Sequence, residues 1–272
     1  MDDSIQLIGA LLGVFVGALM GLTGAGGGIL SVPLLMFALQ LNLAQASPVA
    51  LAAIATASAV GAGLGLKEKI LRYRAAGLMA LTGLLLAPLG LWLSQHLPNR
   101  PLVIIFAVIL FYVSTRLFLQ AYQEIRGYLV HGRHPPPCLL DQTRGKLKWT
   151  LPCARALVYA GASAGFLSGL LGVGGGFIIV PALKRYTDLP VNSIVATSLG
   201  VLTIITGGSA ILSAASGNMS WPIAIPFVGG AVLGMLIGKV LGSKISGPRL
   251  QQVFAVFSFC VALSLVYKTL QP

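Results

Sequence analysis

Two short stretches of the chain could do chemistry without a charged side chain. Gly24-Ala25-Gly26-Gly27-Gly28 and Gly172-Val173-Gly174-Gly175-Gly176 each interrupt a long apolar run. Glycine inside a helix costs about 1 kcal/mol relative to alanine, so five residues holding four glycines end a helix. An apolar segment follows each break, and a new helix is expected to start at Gly27 or Gly28 and again at Gly175 or Gly176. The first N–H groups of such a helix lack acceptors and carry the positive end of its dipole. They form an anion site made of backbone, which a residue without a Cβ lets the anion approach. The candidate binding residues are therefore Gly24, Gly26, Gly27 and Gly28 with Gly172, Gly174, Gly175 and Gly176. The competing reading is a tight turn between closely packed helices. A dinucleotide fingerprint is excluded, because Ile29 stands where its third glycine would fall.

Hydroxyls follow each break. Ser47, Thr197 and Ser198 lie near the starts of the next helices and could donate to an oxyanion; ordinary interhelical hydrogen bonding is the alternative. Asn42 and Asn192 are weaker candidates. The six acidic residues all fall in tails or expected loops, so the usual intramembrane proton relay or cation site is missing. Arg116 and Lys239 are the basic residues well inside apolar runs, and snorkelling to an interface is the favoured reading of both. His131, His134, Cys138 and Cys153 sit close together in sequence, but their spacing matches no standard zinc site. We therefore expect no metal and no cofactor. Three cysteines, an odd number without a dense framework, imply no disulfide scaffold. No Ser/His/Asp or His-Glu-x-x-His constellation supports hydrolysis, so the chain is not expected to be an enzyme.

The elements that must position these residues are membrane helices. Of 272 residues, 56% are hydrophobic and only 9% charged, against roughly 25% charged in a soluble domain; mean hydropathy is +0.90. Apolar runs cover Ile5–Thr23, Ile29–Leu41, Ala46–Leu66, Ala75–Leu97 and Pro101–Tyr122, then Ala154–Leu171, Phe177–Leu183, Val191–Ala215, Trp221–Gly242 and Leu250–Leu270. Those following the breaks are too short to span comfortably. Lys184, Arg185 and Asp188 mark a loop, and the Pro-rich stretch Glu124–Pro152 reads as a plain linker. The net charge of +12 belongs to loops that hold the topology, and nucleic acid is not an expected partner. Glycines recur every fourth residue at Gly9, Gly13, Gly17 and Gly21, at Gly161, Gly165 and Gly169, and at Gly230, Gly234, Gly238 and Gly242. These are packing stripes.

The chain repeats itself. A constant offset of 148 residues takes Gly28 to Gly176, Pro33 to Pro181, Gly90 to Gly238 and Phe106 to Phe254 without a gap. The Lys/Arg bias alternates in antiphase between the halves, which is what inverted repeats give under the positive-inside rule. A parallel arrangement of four spans per half needs a different reading of the short segments. The expected fold is an all-α polytopic membrane protein of two homologous, inverted halves, each a Gly-broken helical hairpin followed by three transmembrane helices. The divisions are 1–123 (first repeat), 124–153 (basic, Pro-rich cytoplasmic connector) and 154–272 (second repeat), with both termini outside.

Gly24-Ala-Gly-Gly-Gly-Ile-Leu-Ser-Val-Pro33 and Gly172-Val-Gly-Gly-Gly-Phe-Ile-Ile-Val-Pro181, with the helices after them, resemble the TauE/SafE family of sulfite exporters. The resemblance covers nearly the whole chain. It implies a transporter of small sulfur-containing anions (sulfite, sulfoacetate, thiosulfate or sulfonates) in the cytoplasmic membrane of a bacterium. The anion would bind near the midplane between the two glycine-rich hairpins. The expected partners are that anion, the lipid bilayer and, where the chain associates, further copies of itself. The alternative function is a membrane-embedded interaction or assembly subunit that uses the glycine stripes to bind partner helices.

Overall fold

The computed structural model describes residues 2–24, 26–126, 138, 140–141, 146–147, 149–215, 219–245 and 248–270. They form α1 (Asp2–Thr23), α2 (Gly26–Ala38), α3 (Leu43–Lys67), α4 (Tyr73–His96), α5 (Asn99–Ile125), α6 (Leu151–Leu171), α7 (Gly176–Tyr186), α8 (Val191–Ala215), α9 (Trp221–Ile245) and α10 (Pro248–Leu270). A two-residue antiparallel pair, β1 (Leu140–Asp141) and β2 (Lys146–Leu147), lies between α5 and α6. Seven helices among the described residues are long and apolar enough to cross a membrane. α3, at 25 residues, is about 37 Å long, enough for a hydrocarbon core of about 30 Å. α2 and α7, at 13 and 11 residues, are not. The chain is an all-α, multi-pass membrane protein.

The outside of the bundle is apolar. Leu81, Leu85, Leu89 and Trp92 form one exposed stripe along α4, and Leu233, Ile237 and Val240 another along α9. Where helices approach most closely, small residues face the contact, because lipid gives helices no hydrophobic reason to associate and close packing must supply it. The glycine stripes do this. On α1, a Cβ added at Gly13 or Gly17 would overlap the carbonyl of Phe227 or Ala231 on α9. On α6, a Cβ at Gly161 or Gly165 would overlap the carbonyl of Met79 or Gly83 on α4. These two seams are the same contacts shifted by 148 residues, and in both the paired helices run in the same direction.

α3 and α8 cross at the centre and run antiparallel. Gly65 lies against Ala196, the hydroxyls of Ser58 and Thr203 meet at 3.2 Å, and Gly207 faces Ala55. The rings of Phe111 on α5 and Phe259 on α10 stack 4.9 Å apart, and these residues too are 148 apart.

The bundle has two unlike ends. At one, the α3–α4 loop with Lys67, Lys69, Arg72 and Arg74 meets the start of α8 and the last turns of α9: Arg72 N–H donates to Thr197 Oγ1 at 3.1 Å, and Lys239 Nζ donates to Glu68 Oε1 at 2.7 Å. The end of α7 meets the start of α10 there through Lys184 Nζ and Gln251 Oε1 at 3.3 Å. The other end gathers the starts of α3 and α5 with the ends of α4 and α8. We call them the basic end and the neutral end.

Three expectations change. Lys184 and Arg185 continue α7 rather than forming a loop, since cations are favourable in the last turn of a helix. Lys239 does not snorkel free but pairs with Glu68. The connector is not a plain linker: Cys138 and Cys153 are joined by a disulfide, and Cys138 N–H donates to the Tyr186 carbonyl at 3.1 Å. Cys153 lies in the first turn of α6, where its N–H is capped by Thr150 Oγ1 at 3.3 Å. The connector is thus stapled to the start of α6 and the end of α7. His131 and His134 lie outside the described residues.

Candidate functional site

Both breaks are buried and both turn through left-handed backbone. α1 closes on Gly24, whose N–H donates to Met20 O at 2.8 Å and whose φ is +78°. α6 closes on Gly172 in the same way, with N–H to Ser168 O at 2.9 Å and φ of +73°. The second break stays left-handed at Gly174 and Gly175, with φ of +75° and +65°. A side chain there costs roughly 1–2 kcal/mol per residue. α2 then starts at Gly26 and α7 at Gly176.

Each short helix folds back on the long one before it. A Cβ at Gly27 would overlap Val16 O, and one at Gly175 would overlap Ala164 O. The two breaks also touch each other: a Cβ at Gly28 would lie 3.0 Å from Val173 O. The space beside them is filled from the central helices, because a Cβ at Gly174 would lie 3.1 Å from methyls of both Ile54 and Thr206. The first-turn N–H groups of α2 and α7 therefore sit at the middle of the bundle among apolar neighbours. There an exposed dipole interacts far more strongly with charge than it would in water.

The hydroxyls divide. Ser198 is fully buried, and its Oγ contacts Gly24 O at 3.1 Å and Val195 O at 2.8 Å, tying α8 to the first break. Thr197, also fully buried, accepts from Arg72 N–H. Ser47 packs directly on Gly172. The structure thus brings Ser47 to the second break and Ser198 to the first, and it turns Thr197 toward the basic end. The repeat offset signals this asymmetry, since it places Val195, not Thr197 or Ser198, opposite Ser47.

Ser47 also lines a cavity of about 360 Å³ at the neutral end. Its polar groups come from Asn42, Ser47, Ser94, Gln95, Asn99 and Ser213, and among the described residues no charged one lines it. α3 and α5 both begin at its wall, so two helix N-termini face it. Its size suits a small ligand, and through Ser47 and Leu170 it reaches the second break. Sequence reading missed this cavity, because its lining is drawn from five helix ends that share no motif. It missed Ser168 as well. That side chain is fully buried one turn before Gly172, and its hydroxyl has no partner. Among the described residues no cluster of three or more His, Cys, Asp or Glu could hold a metal.

Short buried hairpins broken by glycine, inside a multi-pass bundle, belong to the architecture of membrane transporters. Residues 9–265 match the family model described as Sulfite exporter TauE/SafE, and the chain belongs to that family. It is 27% identical over 266 residues to a probable membrane transporter protein of Xylella fastidiosa, with 94% of this chain and 93% of the relative covered. Two probable membrane transporter proteins of Bacillus subtilis are similar over comparable spans. YunE is 24% identical, with 95% of this chain and 96% of YunE covered. YjnA is 26% identical, with 97% and 100% covered. The chain is a membrane transporter.

Proposed function

We propose that the chain moves a small sulfur-containing anion of the sulfite, sulfoacetate, thiosulfate or sulfonate type across the cytoplasmic membrane of a bacterium. The family name supports the substrate class. The observation that carries the site is the meeting of two buried glycine breaks, Gly28 against Val173, with a helix N-terminus on each side. The anion enters the neutral cavity, passes Ser47 and Gly172, and is held by the N–H groups of Gly26–Gly28 and Gly174–Gly176. Ser168 supplies a hydroxyl beside the second break, and Ser198 holds the first break in shape. The halves 1–123 and 154–272 act as inverted repeats. The antiparallel crossing of α3 with its counterpart α8 supports this, as do the two matching seams.

The basic end faces the cytoplasm under the positive-inside rule, which puts the connector 124–153 there and the neutral cavity outside. An inside-negative potential then favours export by about 2.3 kcal/mol per charge per 100 mV. No carboxylate is needed for coupling in that direction.

Thermal unfolding of the purified protein with sulfite, thiosulfate, sulfate, sulfoacetate, taurine, acetate and chloride tests the reading. A ligand that binds only the folded state adds about 2.7 kcal/mol at a hundredfold excess over Kd. Selective stabilisation by a sulfur oxyanion, weakened in Ser168→Ala, which removes only the unpartnered hydroxyl beside the second break, is the expected result. A folded protein that none of these anions stabilises, or a Ser168→Ala variant that responds like the parent, contradicts it.

A further inference from the structure

The two ends of the bundle should be interchangeable if the halves are, and they are not. The offset of 148 carries the cavity lining at the neutral end onto residues at the basic end. Leu91 maps to Lys239, Ser94 to Gly242, Pro48 to Ala196, and Ser213 back to Gly65. At the neutral end these positions surround open space. At the basic end two of the corresponding positions are in close contact: a Cβ at Gly65 would come within 2.7 Å of Ala196 Cβ. Directly above that contact, Lys239 on α9 is bonded at 2.7 Å to Glu68, the residue that ends α3 and whose N–H donates to Leu64 O. Arg72 N–H on Thr197 Oγ1 closes the same mouth from the α8 side. At the positions 148 residues away the sequence carries Leu91 and Ser216 in place of Lys239 and Glu68, a pair that cannot form an ion bond.

We propose that Lys239 and Glu68 are a latch that holds shut a second vestibule at the basic end, and that Lys239, once released, lines that vestibule as its anion-binding cation. The structure is then the state open at the neutral end. In the opposite state, packing at the neutral end closes around Ser47 and Ser94, while Gly65 parts from Ala196. The two vestibules differ in kind. One attracts the anion with neutral dipoles, the other with a full positive charge that must leave a carboxylate to take it. Exchange of Glu68 for the substrate makes opening at this end dependent on anion occupancy. The role of Lys239 toward the anion rests on the proposed function; the latch does not.

Cysteine accessibility separates the two. In a Cys260→Ser background, with the Cys138–Cys153 disulfide intact, single cysteines are placed at Ser94 and at its counterpart Gly242. The nearest atom to a Cβ at Gly242 is 3.5 Å away, so Gly242→Cys fits without displacement. Labelling rates with a membrane-impermeant maleimide are read in purified protein. Losing a partly exposed ion pair shifts a two-state balance by up to about fivefold. In Glu68→Gln and in Lys239→Gln, labelling at Gly242→Cys should rise by about threefold to fivefold while labelling at Ser94→Cys falls. The swap Glu68→Lys with Lys239→Glu should restore both rates. Unchanged rates overturn the latch. So does a rise at Gly242→Cys with no fall at Ser94→Cys, which marks fraying of one mouth only. Sulfite should then slow labelling of Gly242→Cys in Glu68→Gln but not in Lys239→Gln. Equal protection in both, or none in either, removes Lys239 as the anion's cation and leaves the latch to stand on the labelling rates.

Discussion

Replacing Gly172 by alanine is the sharpest test of how the second break is built. Gly172 has φ of +73° and ψ of 17°, so any L side chain there costs roughly 1–2 kcal/mol. The new methyl would also meet Ser47, with its Cβ at 2.5 Å and Cα at 2.8 Å. Those atoms cannot rotate away, so α3 itself must move, and overpacking of this kind costs roughly 1–3 kcal/mol. The expected loss is about 2–5 kcal/mol. Gly24→Ala carries the same backbone cost at φ of +78°, but its closest neighbours in α8, Cα and methyls of Val195, lie at 3.0 Å, so its loss should be smaller. Gly63→Ala is the control: nothing lies within 4 Å of its Cβ position, and a helical alanine gains up to about 1 kcal/mol. Unfolding of the purified variants in mixed detergent should rank Gly63→Ala above the parent, then Gly24→Ala, then Gly172→Ala. A Gly172→Ala variant as stable as the parent would refute the left-handed turn and the Ser47 contact together.

Other outcomes follow from the same geometry. Gly17→Leu should fail to assemble, since its side chain must displace the Ala231 carbonyl of α9, whereas Gly229→Leu, with nothing within 4 Å, should insert and purify normally; expression and size-exclusion profiles read this. Reducing the Cys138–Cys153 disulfide, which closes a loop of 15 residues, should lower stability by about 3 kcal/mol, measured by unfolding with and without reductant. With the basic end in the reducing cytoplasm, Cys138 and Cys153 should be alkylated as free thiols when cells are quenched before lysis and form the bond only on oxidation after purification; a pair already bonded in quenched cells would place the connector outside. Ser198→Ala removes the contact to Gly24 O and should cost about 1 kcal/mol, less than Gly172→Ala, in the same unfolding assay.

Much of this fold could be read in the residues, and the reason is chemical. Apolar runs in lipid have one stable form, so the spans read from Ile5 to Leu270 reappear as helices. Their ends move by only a few residues: α4 starts at Tyr73 instead of Ala75, and α5 extends past Glu124 to Ile125. The breaks were legible because four glycines in five residues leave no other choice. What the breaks touch was not. Gly28 meets Val173 only because α2 and α7 fold back toward one another, and no local pattern encodes that meeting. The cavity at Ser47 and Ser94 depends on five helix ends converging. The Cys138–Cys153 bond joins a basic, Pro-rich connector, whose residues spell no disulfide framework, to the first turn of α6. Lys239 looked like a charge reaching for an interface because its partner Glu68 lies 171 residues away.

On the proposed route a sulfur oxyanion passes between the two breaks. Uptake and release of radiolabelled sulfite and thiosulfate by vesicles containing the purified chain, under imposed potentials of either sign, tests it most directly. Saturable flux that follows the voltage in the direction of anion movement, and that falls in Ser168→Ala, is the expected result. Flux no greater than in empty vesicles, from a protein that is folded and oriented, would contradict it.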